Sequence, residues 1–130
     1  MIVVDTSAVI AVVAGAAQVL RLKRRLNDDT DLHAPHLIDV EVLSALRRML
    51  IAGQISELKA ETARLHFSEL ALTRYPHHRL ADRIWALRNN ITSYDAAFVA
   101  LSEALDVPLV TCDTRLAASA GHSAKIELFT

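Results

Sequence analysis

Short apolar runs alternate with helix-like segments along the whole chain, and this order restricts the fold more than any other feature. The strand-like runs lie at residues 2–5, 32–34, 108–111 and 126–129, and a further short strand is expected within 73–78. Parallel strands need long crossover connections, which helices usually supply. The alternation therefore predicts a single α/β/α domain over residues 1–130, with a mainly parallel central sheet.

The helices are predicted from apolar periodicity and from residues that begin or end helices. The clearest one covers residues 36–52, where apolar side chains recur on one face and Gly53 ends the helix. Ser56 is expected to cap the next helix, which runs to about residue 72. The other predicted helices cover residues 8–13, 16–26, 79–88, 92–105 and a short segment from residue 114 to about 120.

Composition excludes several classes of protein. The chain has 130 residues, of which 52% are hydrophobic, so it is not disordered. The single cysteine, Cys112, excludes a disulfide framework within the chain. The longest apolar run, residues 8–17, is too short to span a bilayer. The first residues lack the basic segment of a signal peptide, so we expect a cytoplasmic protein.

Basic residues are concentrated in the middle of the chain. Residues 21–88 carry 12 basic and nine acidic residues, whereas the two flanks together carry two basic and six acidic residues. Of the 14 basic residues 11 are arginine, which binds phosphate in a bidentate geometry. Solvated helix faces are the commoner explanation of such charges. The charge balance alone therefore does not indicate a nucleic-acid-binding protein.

Three aspartates are predicted to lie near the same edge of the sheet. Asp5 ends the first strand, Asp113 follows the strand at 108–111, and Asp95 lies in the first turn of a helix. Ligands of open α/β sheets bind outside the carboxyl ends of the strands, where Asp5 and Asp113 would point. Each aspartate has an ordinary alternative role as a helix-capping residue, and Asp95 would complete a capping box with Thr92.

Glu41 is a fourth candidate, because it lies at the margin of the apolar face of the helix at 36–52. Its carboxylate would either reach solvent or extend over the sheet edge toward Asp5. Asp39 lies nearer the start of this helix, where it would interact with the helix dipole. Converging carboxylates repel each other unless a cation neutralises them. An oxygen-only ligand set favours Mg²⁺ or Mn²⁺, and the six histidines show no zinc pattern.

Four short segments carry a resemblance to a known family. They are V-D-T-S-A at residues 4–8, D-V-E-V-L at 39–43, S-Y-D-A-A-F-V-A-L at 93–101 and L-V-T-C-D-T-R-L at 109–116. In this order and spacing they resemble the PIN domain, most closely the VapC-type toxins of bacterial toxin–antitoxin modules. The resemblance covers nearly the whole chain, although residues 52–90 carry no family signature.

The resemblance implies a Rossmann-like fold and a metal-dependent endoribonuclease, with Mg²⁺ or alternatively Mn²⁺ as the cofactor. The catalytic and metal-binding positions of the family correspond to Asp5, Glu41, Asp95 and Asp113, and its supporting hydroxyl groups to Thr6, Ser7 and Thr111. Asp5 and Asp95 match the positions most often assigned to direct metal binding. Arg21, Arg24 and Arg25 become candidates for contacts with RNA phosphates. Attack by water would leave 5′-phosphate and 3′-OH ends.

The same resemblance implies a homodimer and a cognate VapB-type antitoxin, whose C-terminal segment covers the active site and a hydrophobic groove. Two other functions remain open. A Mg²⁺-dependent phosphatase can also have an acid at the end of its first strand, but D-T-S at residues 5–7 lacks the second aspartate of such a nucleophile motif. A non-catalytic PIN-like binding module would lack one or more of the four acids, and all four are present.

Overall fold

The central sheet contains five parallel strands. The computed structural model describes residues 1–15 and 19–130. The strands are β1 (Ile2–Val4), β2 (Leu32–Pro35), β3 (Leu72–Tyr75), β4 (Leu109–Thr111) and β5 (Ile126–Leu128). They are arranged in the order β3-β2-β1-β4-β5, and each neighbouring pair is parallel. The predicted α/β fold with a mainly parallel sheet is confirmed.

Helices connect the strands and cover the sheet. They are α1 (Thr6–Ala14), α2 (Leu20–Asp28), α3 (Leu37–Ile51), α4 (Glu57–Glu69), α5 (Ala81–Ala86), α6 (Ser93–Leu105) and α7 (Thr114–Ala117), with a 3₁₀ helix at His77–Leu80. The predicted cap of α4 is present, because the Lys59 N–H donates to Ser56 Oγ at 3.1 Å. Gly53 follows α3 with a φ of 71°, a left-handed conformation that glycine adopts without steric cost.

Several predicted helix boundaries are wrong. α4 ends at Glu69 and not near residue 72, because Leu72 already pairs with Leu32 in the sheet. The helix predicted at 79–88 is replaced by the 3₁₀ helix and the short α5. α7 ends at Ala117, well before residue 120. The helix predicted at 16–26 begins at residues 16–18, which lie outside the described residues, and α2 runs from Leu20 to Asp28.

The core lies on both faces of the central strands. All residues of β1 and β4 are buried, and α6 contributes an unbroken buried segment, residues 96–102, packed against β1, β2 and β4. α1 packs against α3 and α4. Continuous apolar segments are typical of a parallel sheet that is covered on both sides. None of the described helices is both long and apolar enough to cross a membrane. This packing fixes the starts of α1 and α6 near the carboxyl ends of β1 and β4.

Candidate active site

The four predicted acids line one cavity of about 560 Å³ at the carboxyl end of the sheet. Asp5 and Asp113 come after β1 and β4, which are neighbours in the sheet. Asp95 is held by the first turn of α6, and Glu41 projects from α3. The structure therefore brings together four carboxylates that are spread over more than one hundred residues of sequence.

Asp5 is the most buried of the four acids, with 5% of its surface exposed. Its Oδ1 accepts hydrogen bonds from Ser7 Oγ at 2.7 Å and from the Ala8 N–H at 2.9 Å, and its Oδ2 accepts one from Thr111 Oγ1. Burial raises the pKa of Asp5, the hydrogen bonds oppose that rise, and the charge of Asp95 adds to it. The bond to Ala8 caps α1, so Asp5 both begins a helix and faces the cavity.

Glu41 occupies the same cavity and is held by a hydroxyl group. Thr6 Oγ1 donates a hydrogen bond to Glu41 Oε1 at 2.7 Å. Burial raises the pKa of Glu41, and the negative charges of Asp95 and Asp5 raise it further, whereas the Thr6 bond lowers it. Asp39 does not line this cavity. Its carboxylate accepts hydrogen bonds from Arg74 Nε and Nη2 at 2.6 and 2.8 Å, which places it in an ion pair with β3.

Asp95 and Asp113 complete the acidic lining. The Asp95 N–H donates to Thr92 Oγ1 at 3.2 Å, as expected for one half of a capping box. Burial raises the pKa of the Asp95 carboxyl, and the charge of Asp113 adds to this rise. Asp113 Oδ1 accepts from the Arg115 and Leu116 N–H groups at 2.9 and 3.4 Å and so caps α7. Both aspartates therefore take part in helix capping and line the acidic cavity.

The three predicted hydroxyl groups connect the acids to one another and to the backbone. Ser7 Oγ lies 3.2 Å from Thr111 Oγ1 and accepts from the Cys112 N–H at 2.9 Å. Thr111 Oγ1 donates to Asp5 and accepts from the Asp113 N–H at 3.0 Å. Together with the bond from Thr6 to Glu41, these contacts restrict the rotamers of Asp5 and Glu41. Those two carboxylates are thus positioned before any ligand arrives.

The donor chemistry of the cavity suits Mg²⁺ or Mn²⁺. Only carboxylate and hydroxyl oxygens face it from the predicted positions, and three of the acids have raised pKa values because they are buried near like charges. Among the described residues no three acidic, histidine or cysteine side chains form a compact ligand group. Mg²⁺ commonly binds through one or two carboxylates and keeps several waters, and the four acids that line this cavity are of the ligand type it prefers.

Arg48 and Tyr94 line the cavity but were not among the site residues predicted from the sequence. Arg48 lies on α3 two helical turns after Glu41 and therefore on the same face, where its charge lowers the pKa of Glu41. Its Nη1 donates to Ser44 Oγ at 3.0 Å. Tyr94 also lines the cavity and is 62% exposed. The seven-residue spacing from Glu41 could have predicted that Arg48 lies on the same face of α3. For Tyr94, the sequence offered only its position next to Asp95.

The structure does not bring the predicted arginine group to this cavity. Arg25 on α2 donates to both oxygens of Glu127, at 2.7 and 3.1 Å, and Arg21 lies over the Phe129 ring at 5.9 Å from its centroid. Arg24 is exposed on the same helix. Contact of these three residues with RNA stays a prediction, but two of them already have partners near β5.

A sequence profile of the PIN domain matches residues 2–121, which include all four acids. The chain belongs to the PIN-domain family. Its curated relatives include Ribonuclease VapC1 of Mycobacterium tuberculosis, with 46% identity over 97% of this chain and 96% of that protein. Ribonuclease VapC12 of the same organism is 41% identical over 98% of both chains. The predicted resemblance to VapC proteins is confirmed.

Solved structures have the same fold at low sequence identity. PAE2754 from Pyrobaculum aerophilum superposes with a TM-score of 0.65 and 22% identity over 96% of this chain and 87% of its own. Mycobacterium tuberculosis VapC20, described as a toxin that cleaves the sarcin-ricin loop, gives a TM-score of 0.67 with 17% identity over 95% of this chain and 97% of its own. At this identity the two structures support the PIN-like architecture.

Proposed function

We propose that this PIN-domain chain is a Mg²⁺-dependent endoribonuclease and the toxin of a type II toxin–antitoxin pair. The observation that carries the proposal is the convergence of Asp5, Glu41, Asp95 and Asp113 on one cavity. The curated relatives that match nearly the whole chain are named ribonucleases of the VapC group, which supports RNA as the substrate. RNA and a cytoplasmic antitoxin would meet the protein in the cytoplasm.

The acids would share the work of binding and orientation. Asp5 and Asp95 are the proposed direct ligands of the metal, with Glu41 and Asp113 as further ligands or as acceptors for the hydrogens of the attacking water. A bound divalent ion would lower the pKa of a water and offset charge on the phosphate. Arg48, the cation in the cavity lining, is placed to attract the negatively charged substrate toward the acids.

The proposed reaction is hydrolysis at phosphorus. The water oxygen forms a bond to the phosphorus atom while the bond from phosphorus to the 3′ oxygen breaks. A proton from the attacking water passes to Glu41 or Asp113, and the departing 3′ oxygen takes a proton from a second, solvent water to become a hydroxyl group. Because water and not the 2′-OH attacks, the products carry 5′-phosphate and 3′-OH ends.

Exposed apolar side chains support the proposed protein partners. Val40, Leu43 and Ile51 on α3 are 69, 49 and 68% exposed, and Leu58 and Leu65 on α4 are 78 and 46% exposed. Clustered apolar surface commonly marks a protein interface. Val40 also lines the acidic cavity, so a partner segment seated on α3 would reach the active site. We propose that a VapB-type antitoxin and a second copy of the chain cover this surface.

The comparisons favour the nuclease over the two alternatives. The matched relatives are named ribonucleases, and the match extends across the segments that hold the acids. A phosphatase would release phosphate from a simple monoester and leave RNA intact. A binding module would bind its partner and cleave no RNA, with or without Mg²⁺.

The deciding experiment uses the purified full-length chain, free of antitoxin, with total RNA and Mg²⁺, followed by mapping of the new 5′ ends. Cleavage at defined sites is expected with Mg²⁺ and none with EDTA. Asp5→Asn should abolish cleavage, because an amide cannot supply the anionic oxygen that binds the metal. Asp39→Asn is the matched control, since Asp39 lies outside the cavity, and it should cleave as the wild type does. Equal cleavage by Asp5→Asn would contradict the proposal.

A further inference from the structure

A second cavity lies directly beside the acidic one and differs from it in chemistry. It has a volume of about 400 Å³. Its polar lining comes from Arg88, Asn89, Asn90, Thr92 and Arg115, and we call it the Arg88–Arg115 cleft. Asp95 lines both cavities, and Asp113 connects them through Arg115, whose Nε lies 3.8 Å from Asp113 Oδ1. The two cavities are therefore neighbours, and a strand bound at the acids would have this cleft beside it.

The two arginines of the cleft are available to bind anions. The Arg115 side chain is 91% exposed and has only the long contact to Asp113 among the described residues. Arg88 is exposed, and its Nη1 donates to the Trp85 carbonyl oxygen at 3.0 Å. In contrast, Arg83 forms a bidentate ion pair with Glu103, in which Nε and Nη2 donate to the two carboxylate oxygens at 2.8 and 2.9 Å. Guanidinium groups without a close carboxylate partner are suited to bind phosphate.

An exposed aromatic ring stands next to these charges. Trp85 is the one tryptophan of the sequence, and it is 66% exposed. The Arg88 guanidinium carbon lies 4.6 Å from the centroid of its ring, which is a cation–π contact. Aromatic rings beside arginines are typical platforms for unpaired bases.

We propose that the Arg88–Arg115 cleft and the neighbouring Trp85 bind the RNA strand next to the scissile phosphate. Arg88 and Arg115 contact phosphates, and Trp85 stacks on a base. The proposal rests on the ribonuclease function proposed above and assigns strand contacts to three side chains outside the acidic cavity. These are positioning residues, since none of them belongs to the four acids.

RNA binding is measured first, in EDTA, which removes the divalent metal that the proposed cleavage needs. The probe is a fluorescein-labelled single-stranded RNA of mixed sequence, and the comparison probe is the same strand in a duplex. Arg88→Gln or Arg115→Gln should weaken binding of the single strand and reduce the salt slope of log K by about 0.7 for each phosphate that is no longer neutralised. Trp85→Ala should weaken it by about tenfold. The duplex should bind less tightly and respond little to Trp85→Ala.

Two further variants separate a binding role from a folding role. Trp85→Phe keeps a stacking ring and should restore most of the affinity that Trp85→Ala loses. Arg79→Gln removes the same charge from the 3₁₀ helix that precedes α5, outside both cavities, and should bind the probe as the wild type does. Thermal melts of all variants should agree, because the substituted side chains are exposed.

Steady-state cleavage supplies the second readout, on an RNA chosen from the mapped sites. Arg88→Gln and Trp85→Ala should raise KM about tenfold and change kcat less, because they contact the strand away from the reacting atoms. Unchanged single-strand affinity in Arg88→Gln, Arg115→Gln and Trp85→Ala, together with unchanged KM in Arg88→Gln and Trp85→Ala, would overturn the inference and leave the cleft as a surface for a protein partner. That result would not affect the proposed function if Asp5→Asn abolishes cleavage. If the wild type does not cleave RNA but these variants bind RNA more weakly than it does, the RNA-binding role of the cleft is supported and the proposed ribonuclease function is not.

Discussion

Thr6 donates its hydroxyl hydrogen to Glu41 Oε1 at 2.7 Å, across 35 positions of sequence. The bond joins the first turn of α1 to the second turn of α3, and both residues line the acidic cavity. It opposes the rise that burial and the neighbouring acids produce in the pKa of Glu41. The ionised form of Glu41 therefore depends partly on this one hydroxyl group.

Replacing Thr6 with Val should impair the proposed reaction through Glu41. Without the hydroxyl group, the pKa of Glu41 rises further, so the acidic limb of the pH profile of kcat/KM should move to higher pH. The change also leaves a half-buried carboxylate with one partner fewer, which should cost about 1 kcal/mol of stability. Cleavage rates measured over pH, together with a denaturant titration, test both effects.

Thr62 provides the matched control for this substitution. Its hydroxyl donates to the Leu58 carbonyl oxygen at 2.9 Å on the exposed side of α4. Thr62→Val should therefore leave the pH profile as it is in the wild type. An identical profile for Thr6→Val would show that the hydroxyl does not act on Glu41.

Glu103 should govern the acid sensitivity of the fold. Arg83 donates to both of its oxygens, Ser123 donates to it from its N–H and hydroxyl, and its pKa is lowered to about 2 from an ordinary value of 4.5. Because the pKa of Glu103 is lower in the folded protein than in the unfolded chain, ionised Glu103 stabilises the fold at pH values above about 4.5. This contribution is lost as the pH falls from about 4.5 through about 2. Glu103→Gln should lower the free energy of unfolding at pH 7 by about 1–2 kcal/mol, since solvent at the half-exposed Arg83 screens the pair.

Urea titrations at pH 7 and pH 3 measure this contribution. The difference between wild type and Glu103→Gln should be smaller at pH 3, because the wild-type contribution is being lost there. Glu61→Gln is the control, since Glu61 pairs with Arg64 on the exposed side of α4 and such pairs contribute little. A destabilisation that is the same at both pH values would assign the effect to packing and not to charge.

The sequence predicted the parallel sheet from local signals, and the same signals place two of the four acids at one edge of that sheet. Asp5 and Asp113 follow buried strands directly, so their placement needs only the strand positions and a parallel sheet. The meeting of Glu41 with Asp5 was an open alternative, because it depends on how α3 packs beside α1. The family resemblance favoured that arrangement, and the structure places both residues in one cavity.

Features that depend on tertiary contacts were not predictable. The end of α4 is set by the pairing of Leu72 with Leu32, which overrides a continuing helical pattern. The partners of Arg25 and Arg74, namely Glu127 and Asp39, lie far away in sequence, so no local pattern distinguishes these arginines from unpaired ones. The exposure of Trp85 was equally hidden, because tryptophan in a helical pattern ordinarily packs in the core.

Asp5→Asn should change stability in opposite ways with and without metal. Asp5 is buried and its pKa is raised, which means that its charged form is less stable in the folded protein than in the unfolded chain. In EDTA at pH 7 the neutral amide should therefore give a melting temperature equal to or above that of the wild type, since the amide oxygen can still accept a hydrogen bond from the Ala8 N–H at the start of α1.

Mg²⁺ should stabilise the wild type by about 2.7 kcal/mol at a hundredfold excess over Kd, or about 10 °C in Tm for a domain of this size. The amide variant should gain little from Mg²⁺. Thermal melts of both proteins in EDTA and in Mg²⁺ decide whether Asp5 is a metal ligand or a simple helix cap. If Asp5 only caps α1, its charge interacts favourably with the helix dipole, and Asp5→Asn should melt below the wild type in EDTA. In that case the variant should also respond to Mg²⁺ as the wild type does.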